Sequence, residues 1–186
     1  MANAKQTWQD NKAIGNIAEN IVQFLIESTS DWKCIKFGME NHIEELKKLI
    51  KDKTDEISLK IKSMPDFIAV NSKTNQVIML DVKYRSFIDR RESGKVLYGF
   101  GYGQIKDYLQ YWPEIYLVVL HNHEPNFTVI NMKEVLWHRH FYDRKENGDK
   151  IIEEWNFAGI QEDIKEIFPE LTDEILKKAI SMIPNR

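Results

Sequence analysis

The chain has 186 residues, 42% hydrophobic and 30% charged, with eight glycines and five prolines, which excludes disordered and fibrous classes and is too short to divide comfortably into two cored domains. Lys and Arg number 26 against 29 Asp and Glu, a formal charge of −3, so no global positive field collects nucleic acid, although a local basic groove stays open. The single cysteine, Cys34, excludes an internal disulfide and any multi-cysteine zinc or iron–sulfur site, leaving oxygen or histidine ligands for a metal.

No apolar run approaches the roughly 20 residues needed to span a bilayer. Residues 1–12 are polar and no signal-type segment follows, so a cytoplasmic protein without membrane contact is expected. Ile14, Ile17, Ala18, Ile21, Val22 and Leu25 recur at helical spacing and predict a helix over 13–28, with Glu19 at the edge of its apolar face. Ser28, Thr29 and Ser30 compete for backbone hydrogen bonds and should end it. Residues 32–37 read as a strand, Gly38 as a breaker, and 40–51 as a helix carrying Ile43, Leu46, Leu49 and Ile50. Residues 52–63, polar and weakly periodic, read as a loop with a short strand over 57–61.

The clearest organisation follows. Two apolar runs, 67–70 and 77–83, are separated by a short polar connection, which favours an antiparallel hairpin because a parallel crossover needs a dozen or more residues. The second run is apolar on both parities, the mark of a central strand covered on both faces. Residues 86–103, with four glycines, read as a loose stretch. Residues 104–112 form a helix ending before Pro113, with Ile105, Tyr108, Leu109 and Trp112 facing one way. Strands are expected over 115–120 and 127–130, then a hairpin through Asn147-Gly148 and helices over 160–168 and 171–183. Without repeats or a low-complexity linker, the chain reads as a single α/β domain with a central mixed sheet flanked by helices.

Asp81 interrupts an apolar strand where an unpaired carboxylate costs heavily in desolvation. Lys83, two residues on, shares its face, and the two alone fit an internal salt bridge better than a catalytic pair. Asp66 shifts that balance, because the hairpin returns it almost opposite Leu80 and Asp81, and two carboxylates held together call for a divalent cation. The pairing count leaves their face parity open, with a bulge or strong twist as one way to align them. Glu19 approaches from the first helix as a third acid or as an ordinary solvent-facing glutamate. Such a set suits phosphodiester hydrolysis with Mg2+, or Mn2+, where the cation activates water and Lys83 stabilises charge on the phosphate.

Pro65-Asp66 followed by Asp81-Val82-Lys83 resembles the motif of the PD-(D/E)xK nuclease superfamily. The resemblance implies a restriction-endonuclease-like mixed sheet, Asp66 and Asp81 as metal ligands with Glu19 completing the site, and catalytic assistance from Lys83. Gln104-Ile105-Lys106-Asp107-Tyr108 is similar to the glutamine-to-tyrosine helix motif of the exonuclease-like branch, which implies that Gln104 and Tyr108 support the site or contact nucleic acid. The match covers about residues 14–120, and the iron–sulfur cysteines of some relatives are missing. DNA is the substrate the resemblance implies; endonuclease or exonuclease action and a homodimer stay open.

Lys83, Arg85, Arg90, Arg91 and Lys95 against Asp89 and Glu92 form a local basic segment that would contact phosphates, or a solvated surface. Without a Walker loop, ATP binding is not expected. His121 and His123, then His138 and His140, have metal-like spacing but fit loop or surface roles better. Cys34 reads as a buried small hydrophobe. Tyr98, Tyr102, Tyr111, Trp112 and Tyr116 could stack on unpaired bases, although core packing accounts for them more readily. The rival readings are a nuclease-like module that binds nucleic acid or assembles without turnover, and a purely structural interaction domain.

Overall fold

A computed structural model describes residues 3–38, 44–85, 89–90, 96–133, 137–142, 152–157 and 163–184. The first helix, α1, spans Asn3–Glu27, beginning ten residues before the apolar periodicity does. Its end is where the hydroxyls place it: Ser28 Oγ donates to the Phe24 carbonyl and Thr29 Oγ1 to that of Ile26, both at 2.7 Å. Strand β1 follows at Trp32–Lys36 and helix α2 at Glu44–Ile50; the start expected for that helix lies outside the described residues.

The loop and short strand expected over 52–63 are corrected to a helix, α3, at Glu56–Lys62. The alternation of Ile57, Leu59 and Ile61 imitates a strand, but the cap decides. Asp55 accepts from the Ser58 amide at 3.0 Å and from the Ser58 hydroxyl at 2.7 Å, and Lys60 and Lys62 lie in the last turn, where they complement the helix dipole.

The hairpin forms as the sequence predicts, from β2 at Phe67–Asn71 and β3 at Val77–Arg85. Asn71 organises its turn by accepting from the Lys73 and Thr74 amides at 2.9 and 3.0 Å, and Asn75 takes a left-handed conformation, φ 58°, which asparagine tolerates better than most residues. The loose stretch expected over 86–103 is partly strand: β4 at Asp89–Arg90 and β5 at Val96–Gly101. Its main partner is remote in sequence, so local pattern does not reveal it. Helix α4 (Tyr102–Tyr111), β6 (Tyr116–His121), β7 (Phe127–Asn131), β8 (Trp137–Tyr142), β9 (Ile152–Phe157), α5 (Ile164–Ile167) and α6 (Asp173–Ser181) complete the described elements.

One mixed sheet runs β1-β2-β3-β6-β7, with β3 and β6 parallel and the other pairs antiparallel. The second sheet, β4-β5-β9-β8, is antiparallel, with Tyr142 opposite Ile152, and the Asn147-Gly148 turn expected between β8 and β9 lies outside the described residues. Alternation along β3 divides the core. Ile78, Leu80 and Val82 pack with Ile21, Val22 and Leu25 of α1 and with Phe168 and Ala179 near the C-terminus. Met79 faces the other way, toward Ile105 and Tyr108 of α4, Leu117 and Val119 of β6, and Phe100 of β5. Each fully buried Leu or Ile contributes roughly 1.5–3 kcal/mol, so both faces are held and β3 lies at the centre, between helices. This is an α/β architecture with a central mixed sheet flanked by helices. No helix among the described residues is long and apolar enough to cross a membrane.

Candidate active site

Strand pairing aligns the acids. Phe67, the first residue of β2, lies opposite Leu80, and Asp66, just before it, comes close enough to β3 for the Asp81 charge to act on it and for its carboxylate to reach the Val82 amide. Asp66 lies in a bend at the entrance to β2 and not within the paired strand. On the other side Lys36 lies opposite Phe67, and beyond it the Phe37 and Gly38 amides both donate to the Asp66 carbonyl, at 2.8 and 3.2 Å. Asp66 is therefore tied to Phe37 on one side through its carbonyl and to β3 on the other through its carboxylate.

Both carboxylates are buried, Asp66 7% and Asp81 2% exposed. Asp66 Oδ2 accepts from the Val82 amide at 2.7 Å. Burial, then the neighbouring Asp81, pushes its carboxyl well above the usual range, and Glu19 adds to the rise from α1, against the opposing pull of Lys83 and the Val82 amide. Lys83 Nζ stands 2.5 Å from Asp81 Oδ2. That oxygen meets the ammonium at ion-pair distance but receives no well-directed hydrogen bond. Burial alone would discharge Lys83, yet the Asp81 charge beside it outweighs burial and holds the amine above its ordinary range. The ion pair thus favours the charged form of Lys83.

Helix α4 closes the site from above the sheet. Tyr108 is 3% exposed, and burial, followed by the Asp81 charge, raises its hydroxyl well above the ordinary tyrosine range, so it stays protonated and is in hydrogen-bond contact with Asp81. Gln104 Nε2 donates to Tyr108 Oη at 2.9 Å, the four-residue spacing placing both on one helical face. The structure thus brings together Asp66, Asp81, Lys83 and Tyr108, with Gln104 bonded to Tyr108 and Glu19 acting on Asp66 at longer range. Arg85 lies two residues past Lys83 on β3, with its guanidinium 4.7 Å from the Phe100 ring centroid. Arg90 lies on β4, while Arg91 and Lys95 lie outside the described residues.

The donor set fits a hard divalent cation of the magnesium type. Two carboxylates crowded until one is driven toward protonation are what such a cation would relieve. Among the described residues no three of His, Cys, Asp and Glu converge as a ready-made cage; Glu19 acts on Asp66 at longer range. Magnesium commonly takes one or two carboxylates and fills its shell with water and phosphate oxygens.

His121 departs from expectation. Instead of a loop or surface residue it is the fully buried end of β6, its ring 5.8 Å from that of His123, and burial pushes its pKa down to about 4 despite a hydrogen bond with the Arg85 backbone. It is a neutral core histidine. Cys34 is buried as expected, its thiol pushed up to about 12 chiefly by that burial, which leaves it inert. Phe37 is the neighbour of the acids that sequence reasoning missed, since nothing in its local pattern marks it. Comparison with known protein families and with curated proteins finds no match to this chain.

Proposed function

We propose that the chain is a magnesium-dependent deoxyribonuclease of PD-(D/E)xK type, with a restriction-endonuclease-like arrangement. The observation that carries this reading is the side-by-side placement of Asp66 and Asp81 with Lys83 immediately beyond. Asp66 and Asp81 would hold the cation, with Glu19 reaching it through water; Mg2+, or Mn2+, when bound supplies an activated water and neutralises phosphate charge. Lys83, in its charged form, steadies the negative charge that develops on the phosphate as the attacking oxygen arrives. Tyr108, protonated and braced by Gln104, orients the Asp81 carboxylate. The Val82 amide fixes the rotamer of Asp66. Arg85, Arg90, Arg91 and Lys95 are assigned to phosphates of the approaching DNA.

The test is incubation of purified protein with linear, circular and hairpin DNA in magnesium, calcium or chelator. Cleavage in magnesium that chelator abolishes and Asp81→Asn removes supports the reading; intact DNA throughout overturns it. A second reading, a DNA-binding or assembly module without turnover, draws on the close Lys83–Asp81 ion pair, which occupies an oxygen the cation needs. It predicts cation-dependent binding with no cleavage.

A further inference from the structure

The backbone that carries Asp66 is bonded to a residue with an aromatic ring. Phe37 sits one strand from Asp66, tied to it by the 2.8 Å bond from its amide to the Asp66 carbonyl. Its ring meets Trp112 edge-on, centroids 6.0 Å apart at 86°. Trp112, just past the end of α4, is in turn pinned to α3: its indole N–H lies 3.2 Å from Ser63 Oγ and 3.3 Å from the Lys60 carbonyl. The Lys60 ammonium stands 5.5 Å from the indole centroid. Phe37 and Trp112 are both half-buried and Lys60 is exposed. Lys62 and Lys106 bring two further positive charges close enough to act on Asp107.

We propose that Phe37, Trp112 and Lys60 form a subsite for an unstacked base of the nucleic-acid strand whose phosphate lies at Asp66 and Asp81, so that the substrate is single-stranded or locally unpaired; this rests on the nuclease reading above. A paired base keeps both faces inside its own stack and has none to offer a protein ring, whereas an extruded or single-stranded base does. A base would meet the partly exposed parts of two aromatic rings held at right angles, with Lys60 over the indole, and their positions are set by backbone and indole hydrogen bonds before any ligand arrives. Lys60 adds a cation beside the platform for the adjoining phosphate. Core packing alone does not explain why both aromatic residues stay partly exposed beside the backbone that carries Asp66.

The test compares a short fluorescein-labelled single strand with the same strand annealed to its complement, by anisotropy, with calcium replacing magnesium. The wild-type chain should bind the single strand more tightly than the duplex. Phe37→Leu should weaken single-strand binding about tenfold, the scale of losing one stacked base, and leave duplex binding unchanged; Lys60→Gln should weaken it less, with a shallower salt dependence. Lys60 is exposed, so that variant carries the test if Phe37→Leu fails to fold. Equal affinity of the wild type for both DNAs, or folded variants that bind the single strand like wild type, overturns the subsite even where magnesium-dependent cleavage is intact. Wild-type protein that neither binds nor cuts either DNA overturns the subsite and the nuclease reading together.

Discussion

Asp66 stands beside Asp81 across the β2–β3 hairpin while its Oδ2 accepts a 2.7 Å hydrogen bond from the Val82 amide. The bond aims the carboxylate, and the register forces it against a second one. The arrangement is electrostatically costly without a cation, and the cost is measurable.

Burial first, and Asp81 second, hold the Asp66 carboxyl above its ordinary value of 3.8. A folded-state pKa raised above the unfolded one contributes stability that is fully present below the unfolded pKa and is lost as pH rises through the folded pKa. Cation-free protein should therefore lose stability as pH climbs from about the ordinary carboxylate value through the raised Asp66 value, and magnesium should restore it only on the high side of that window. Asp66→Asn keeps the acceptor for the Val82 amide and removes the charge. Thermal melts without cation at neutral pH should show it about 2–4 °C above wild type, on the scale of roughly 1 kcal/mol in a chain of this size, and indifferent to magnesium. A mutant that magnesium stabilises as much as wild type would remove Asp66 from the ligands.

Asp81 and Lys83 separate by kinetics. Asp81→Asn should keep the fold and lower cleavage at least about a hundredfold, because charge stabilisation and cation binding fall together. Lys83→Ala should lower turnover at saturating magnesium more than it weakens magnesium affinity. It should also cost stability, as much as about 3–5 kcal/mol where a buried pair is broken, so circular dichroism must accompany the assay. Unchanged turnover in folded Lys83→Ala would leave the residue as the partner of a structural ion pair.

Tyr108→Phe deletes only the hydroxyl that links Gln104 to Asp81. Turnover should fall about tenfold, at the lower end of the range for groups that orient a metal ligand, with melting temperature little changed. DNA affinity should retain its wild-type dependence on salt, since no phosphate contact is lost. A loss of affinity with turnover intact would instead make Tyr108 a nucleic-acid contact.

Asn71 tests how far the turn governs the site. Its buried side chain accepts from two amides of the turn, so Asn71→Ala should cost about 1–3 kcal/mol and a melting-temperature drop of several degrees. Because β2 and β3 remain paired along their length, cleavage by the folded fraction should stay near wild type. Lost activity in a fully folded mutant would show that the turn, and not the strand register, aligns the acids.

Period and punctuation made much of this chain legible. The apolar stripe of α1, the paired runs around residues 71–76, the β6 and β7 strands and the isolated Asp81 and Lys83 all rest on contacts a few residues apart or on side-chain alternation, which the order of residues determines directly. Where a local cue misled, as at Ile57, Leu59 and Ile61, a capping carboxylate outweighed a two-residue alternation, and Asp55 was there to be read. Tertiary structure decided the rest. The pairing of β5 with β9 joins segments more than fifty residues apart, and the burial of His121 depends on β6 lying beside β3. The approach of Asp66 to Asp81 depends on a β2–β3 register that a one-residue slip would change, and the approach of Phe37 to the Asp66 backbone on a strand with no chemistry of its own. Each is a relation between surfaces rather than a property of a segment, so no local pattern carries it.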